Sequence, residues 1–215
     1  MFGWLKGTLR SAWAAGYDLQ ARGNEDGFVG EARRTLLAAV HGDVLEIGAG
    51  RGANIPHYPR RRDLRVIATD PDPAMLARAR RRPLDGLNLE FREMGAYPLP
   101  FPAQTFDFVV VTLALCTIPD PARALAEARR VLRDEGRLLF IEHVRARDDH
   151  PRIGRWQDRM APAWKLCAHG CRINQDTRQL IADSGFGFEW IEERYEPDVW
   201  LPILRVGIGG VAVKN

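Results

Sequence analysis

Val44-Leu45-Glu46-Ile47-Gly48-Ala49-Gly50-Arg51-Gly52-Ala53-Asn54 decides the fold of this chain. Its short apolar start predicts a buried strand, and three glycines at alternate positions predict a sharp bend at the strand's end. Glycine tolerates backbone angles that other residues avoid, and it has no Cβ to hold a ligand away. A bound molecule could therefore lie directly against the backbone. Glu46 is expected to set a carboxylate at the floor of the bend.

Outward from this stretch, strand and helix signals alternate. Residues 44–47, 64–68 (ending at Asp70), 87–91, 106–113 and 137–142 read as strands. Helices are expected near 30–40, from Asp72 as N-cap and Pro73 as first residue to about Arg81, and over 121–132. Strands separated by helices imply a parallel sheet with ligands at the strands' carboxyl ends. Residues 143–174, rich in Arg, Trp and Pro, predict one or two short helices over the site, a cap insertion spanning about 145–175. A helix over 177–184 stopping at Gly185, then strands over 188–194 and 203–213, would close the sheet as an antiparallel hairpin. The expectation is one α/β domain over residues 1–215: a Rossmann-like, seven-stranded, mostly parallel sheet with a C-terminal antiparallel hairpin and a small helical cap.

Composition agrees. The 215 residues are 46% hydrophobic, enough for one full core. Formal net charge is +3, and 28 of the 31 basic residues are arginine. The clusters at Arg60-Arg61-Arg62 and Arg78, Arg80, Arg81, Arg82 have no interleaved aromatic residues to stack on bases, so a solvated surface is preferred to a nucleic-acid site. Cys116, Cys167 and Cys171 form no even disulfide set and suit reduced thiols in the cytoplasm. Cys167, His169 and Cys171 lack an obvious fourth ligand, so no metal is expected. No apolar run reaches the roughly 18 residues of a membrane span. Residues 1–40 read as an N-terminal helical segment broken at Gly16-Tyr17-Asp18. Phe2, Leu5, Leu9 and Trp13 share one helical face beside Lys6 and Arg10. That helix either lids its own domain or makes peripheral contact with the inner membrane surface. The oligomeric state is not legible.

The pattern E-x-G-x-G-x-G over Glu46 to Gly52 resembles motif I of the class I S-adenosylmethionine (SAM) methyltransferases. Gly48, Gly50 and Ala53 also satisfy the dinucleotide pattern, in which a helix N-terminus cradles a pyrophosphate. SAM carries no phosphate. Its ammonium group suits Glu46 better. The resemblance implies SAM as cofactor, with S-adenosylhomocysteine as product. Asp70 would accept both ribose hydroxyls, a role equally suited to NAD. Pro71, Met75, Met94, Gly95 and Ala96 would surround the adenine, although no carboxylate stands in the loop after the third strand. Gly48, Ala49, Gly50, Gly52, Asn54, Thr112 and Leu113 would line the methionine end, and Tyr58 could wall it or simply pack in the loop.

A narrower resemblance covers most of the chain. Gly52-Ala53-Asn54-Ile55-Pro56-His57-Tyr58-Pro59, Thr112-Leu113-Ala114-Leu115-Cys116-Thr117, Glu142-His143-Val144, Trp156-Gln157, Pro162-Ala163-Trp164 and Gly170-Cys171 are similar, in order, to motifs of the thiol methyltransferase-like family. Ala161 stands where that family carries aspartate. The implied activity is methylation of a small, fairly apolar acceptor, a thiol first. A phospholipid amine, a quinol carbon, a nicotinamide oxidoreduction and a SAM-binding protein without catalysis are the alternatives. His143 is the candidate base, against a reading in which it hydrogen-bonds within the core. Tyr17, Cys116, Trp156, Gln157 and Trp164 are the candidate acceptor pocket, and each has a plain packing alternative. Cys116 reads as either reactive or a small buried filler.

Overall fold

The structure is a computed structural model that describes residues 27–215. The amphipathic N-terminal segment and Tyr17 lie outside the described residues.

Helix α1 (Phe28–Ala38) leads into β1 (Asp43–Ile47). Phe28, Val29, Ala32, Leu36 and Leu37 recur at helical spacing, so α1 buries one stripe against the sheet. Each large side chain there contributes roughly 1.5–3 kcal/mol of burial. Then come β2 (Arg65–Asp70), α2 (Pro73–Ala79), β3 (Asn88–Glu93), β4 (Phe106–Thr112), α3 (Pro121–Val131) and β5 (Leu132–His143). The Asp72 carboxylate accepts from the Ala74 amide, capping α2 ahead of Pro73 as expected. The order across the sheet is β3-β2-β1-β4-β5-β7-β6. β1 pairs in parallel with both β2 and β4, so the switch in strand order falls at its carboxyl end. β7 (Val206–Lys214) runs antiparallel between β5 and β6 (Phe186–Tyr195), which gives the expected C-terminal hairpin.

Three boundaries differ from expectation. β5 starts at Leu132, directly after α3, because Phe106 pairs with Leu132 ahead of a register shift. Residues 203–204, expected at the start of the last strand, belong to a 3₁₀ turn (Pro202–Leu204) that starts at Pro202, a residue with no amide proton to give a ladder. The cap, expected as one or two short helices, is a single 17-residue helix, α4 (Pro151–Cys167). Pro162 sits inside it.

Apolar clusters flank both faces of the sheet. A third lies under the cap, where Cys116, Ala168, Cys171, Ile173, Ile203 and Leu204 meet. Helix α5 (Thr177–Asp183) ends before Gly185, whose φ of +81° turns the chain into β6.

Candidate active site

A cavity of about 1030 Å³ opens over the carboxyl ends of β1, β2, β4 and β5. Its first wall is the glycine bend. The amides of Gly48 and Ala49 both donate to the Thr69 carbonyl (2.8 Å each), folding the chain back over β2. Gly48 has φ +75°, and a Cβ there would stand 2.6 Å from the Ala114 Cβ. Gly50 has φ +54° and open space where a Cβ would be, so its bare backbone faces the cavity. The Gly50 amide donates to one oxygen of Asp70 (2.8 Å), and the Asp72 amide donates to the other (2.8 Å). Burial raises the Asp70 pKa, and those two amides oppose the rise. The carboxylate is thereby fixed at the end of β2 beside Pro71 and Met75. Met94, Gly95 and Ala96 form the facing wall, and Asn54, Thr112 and Leu113 line the inner end.

Glu46 is not on the wall. Alternation along β1 sends Ile47 to the cavity and Glu46 to the α1 face, where it is 1% exposed. Its Oε1 accepts from Asn54 Nδ2 (2.9 Å) and its Oε2 from the Tyr58 hydroxyl (2.8 Å). Asn54 Nδ2 also reaches Thr112 Oγ1 (2.9 Å), and Arg33 Nε donates to Asn54 Oδ1 (3.0 Å). The expected floor carboxylate thus holds the wall from behind. Burial pushes its pKa up, against Tyr58, Asn54 and the Arg33 charge. Gly52 is also off the wall. Its φ is +71°, and a Cβ would stand 2.5 Å from Ile55 Cδ1 and 3.1 Å from Ala79 Cβ, so it lets the loop close on α2.

The other end of the cavity is built by β4, β5 and the cap. Leu113 adopts φ +53°, an uncommon angle for leucine that turns the next three amides inward. The amides of Ala114 (2.8 Å) and Leu115 (2.7 Å) donate to Glu142 Oε1, and that of Cys116 (3.4 Å) donates to Oε2. Burial pushes Glu142 up to about 7 in spite of these amides. His143, next along β5, lines the cavity. Its desolvated setting, with Arg33 as the second cause, lowers it to about 4, so it stands neutral at neutral pH. Cys116 and Trp164 line the same end.

Two expected pocket residues lie elsewhere. Trp156 is 63% exposed, because α4 turns that face outward. Gln157 is fully buried and ties the cap down: its Oε1 accepts from the Ala146 amide (2.7 Å), and its Nε2 donates to the carbonyls of Val144 (2.9 Å) and Ile203 (3.0 Å). Sequence reading missed Arg33, Ile118, Pro119, Cys171 and Leu204 as wall residues. Arg33 did leave a signal, since it falls on the apolar stripe of α1 between Val29 and Leu37. Among the described residues, no three histidines, cysteines or carboxylates gather to hold a metal, and no helix is long and apolar enough to cross a membrane.

The bend, the Asp70 carboxylate and the wall beyond β3 fit a nucleoside. The shape has a counterpart in a SAM-dependent methyltransferase from Thermotoga maritima (TM-score 0.70, 20% identity, 97% of this chain and 99% of that one). A family described as a methyltransferase domain matches residues 45–140. Thiol S-methyltransferase TMT1B of Homo sapiens is 33% identical over 175 residues, 80% of this chain and 70% of the relative. A phosphatidylethanolamine N-methyltransferase of Cereibacter sphaeroides is 38% identical over 126 residues, 55% of this chain and 60% of the relative. A nicotinamide oxidoreductase is thereby set aside. With SAM as its methyl donor, the chain belongs to the class I SAM-dependent methyltransferases, in the thiol methyltransferase-like family.

Proposed function

We propose that the chain methylates the sulfur of small, fairly apolar thiols. The observation that carries this reading is the character of the cavity's cap end. Leu113, Ile118, Pro119, Trp164 and Leu204 wall it, and its one buried carboxylate, Glu142, is engaged by three amides. An apolar thiol gains there from burial, whereas a cationic amine would lose its water without a facing anion. The similarity to TMT1B supports the same acceptor class.

The fit to SAM rests on the Gly48 and Gly50 backbone, the braced Asp70 carboxylate, and the buried Arg33-Asn54-Glu46-Tyr58 network behind the methionine end. When bound, SAM supplies a methyl group on a sulfonium that is already a good leaving group. The task left to the chain is to line up the acceptor sulfur behind that methyl and to exclude water. Thr112 ends β4 and Leu113 follows it, where the two molecules would meet. His143 is neutral there and can accept a thiol's hydrogen bond, aiming the sulfur. With a pKa near 4 it is a weak base toward a thiol of about 8.5. The rate should therefore follow ionisation of the acceptor thiol rather than of His143.

Labelled SAM with matched panels of alkyl thiols, amines and quinols tests this. S-methylated product from the thiols is expected; transfer to another panel with none to any thiol overturns it. A lipid amine is the second reading. It is favoured by exposed Trp156 and Leu166 on α4, a helix that also carries exposed Arg152, Arg155 and Arg159.

A further inference from the structure

Two cysteines at the cap end of the cavity have no part in the methyl-transfer reading above. Cys116 follows β4, Cys171 follows the cap helix, and their sulfurs lie 3.6 Å apart in the wall. Neither is in a disulfide. They are 55 positions apart in the chain, so the approach is imposed by the fold. The Arg172 amide donates to the Cys116 carbonyl (2.9 Å). The Arg172 guanidinium donates to the carbonyls of Leu115 (3.1 Å), Pro119 (3.3 Å) and Ile118. The cap loop and the β4 loop are thus laced together on both sides of the sulfur pair.

We propose that Cys116 and Cys171 form a thiol–disulfide exchange centre that takes small organic disulfides from the cavity. This goes beyond the methylation reading and does not depend on which acceptor is methylated.

The two thiols are made unequal by their surroundings. Cys116 is wholly buried above the Glu142 carboxylate, and its hydrogen bond with Cys171 together with burial pushes it well up. Cys171 is drawn down, first by that same hydrogen bond and also by the Trp164 indole and the Arg172 charge. The indole N–H of Trp164 is buried with no hydrogen-bond partner among the described residues, which leaves it to favour charge on the sulfur. Cys171 is therefore the attacking thiolate and Cys116 the resolving thiol.

In the first step the Cys171 sulfur bonds to one sulfur of R–S–S–R, the S–S bond of the disulfide breaks, and one RS⁻ leaves. In the second, Cys116 loses its proton and its sulfur bonds to Cys171 Sγ, releasing the second RS⁻. Both leaving groups take up the protons given up by the cysteines. One organic disulfide is reduced to two thiols, and two protein thiols are oxidised to one intrachain disulfide. Glu142, beneath Cys116 and poised near neutrality, is placed to take the second proton.

The test uses the full chain with the exposed Cys167 changed to serine, and 4,4′-dithiodipyridine as the probe. The expected result is two equivalents of pyridinethione per chain, a protein about 2 Da lighter, and a proteolytic fragment joining Cys116 to Cys171. Adding Cys116→Ser should stop the reaction at one equivalent, with the pyridyl adduct retained on Cys171. Adding Cys171→Ser should slow release more than about tenfold, because Cys116 is buried and holds its proton. Cys116→Ala replaces the serine variant if the latter no longer binds S-adenosylhomocysteine. A Cys167→Ser chain that binds S-adenosylhomocysteine yet releases no pyridinethione, or keeps a stable adduct, overturns the proposal. No SAM and no acceptor enter this assay, so its failure is separate from failure of the thiol reading.

Discussion

The two ends of the cavity are built by different means. The glycine-bend end is made of backbone at strand termini: the Gly48 to Gly52 bend, the amides of Gly50 and Asp72, and one carboxylate, Asp70, that they brace. The cap end is made of side chains that reach across the fold, with Gln157 binding three backbone groups, Arg172 reaching three carbonyls, and Glu142 gathering three amides. Each end also hides a glutamate behind its wall. Glu46 accepts from side chains and Glu142 from backbone. The first is tuned to hold particular residues in place, the second to hold a turn.

Glu46→Ala should give the largest effect. It removes the acceptor of the Tyr58 hydroxyl, one of the two acceptors of Asn54 Nδ2, and a buried charge that faces Arg33. The cost should be about 3–5 kcal/mol, and a thermal melt should fall by roughly 10 °C or more. An unchanged melt would mean that the wall stands without its backing.

Glu142→Gln sharpens the contrast between the two glutamates. The folded state holds the Glu142 proton up to about 7, whereas the unfolded state releases it near 4.5. The extra stability is therefore complete below pH 4.5 and is lost as pH rises to 7. Glutamine abolishes that slope, about 3 kcal/mol across the window. His143 acts oppositely, because a pKa lowered to about 4 costs stability as pH falls from 6.5. It is common to both chains, so subtracting the two urea-denaturation curves isolates Glu142.

Gln157→Leu should cost about 2–3 kcal/mol, because it strands a buried amide and two carbonyls. The acceptor KM should rise while S-adenosylhomocysteine affinity changes less than about twofold, the sites being separate. A matching loss of affinity would show that the two ends are one unit. Asp70→Ala is the converse. Calorimetry should find S-adenosylhomocysteine binding weakened about 10- to 100-fold, the loss of a charged hydrogen-bonding group. Trp156→Ala should shift stability by no more than about 0.5 kcal/mol, as suits an exposed side chain.

Legibility in the sequence follows the same division. The sheet, its closing hairpin and most of the wall at the glycine-bend end of the cavity could be read, because glycine bends, an N-cap and strand periodicity are local signals. Gly48, Gly50 and Asp70 lie on the wall as expected. Glu46 and Gly52 lie behind it, since motif spacing does not say which face of a strand a carboxylate takes or which glycine serves packing. The cap end was read by resemblance, and there the errors gather. Adjacent Trp156 and Gln157 are exposed and buried, respectively, on α4, and Cys171 meets Cys116 only through long-range lacing that no local pattern encodes.

The anchoring of Gln157 to main-chain atoms of Val144, Ala146 and Ile203 has an evolutionary consequence. Main-chain partners survive nearly any replacement at those positions, so one retained glutamine is enough to dock a cap of changing composition. The cap's side chains can then change while the glycine-bend half of the cavity stays as it is.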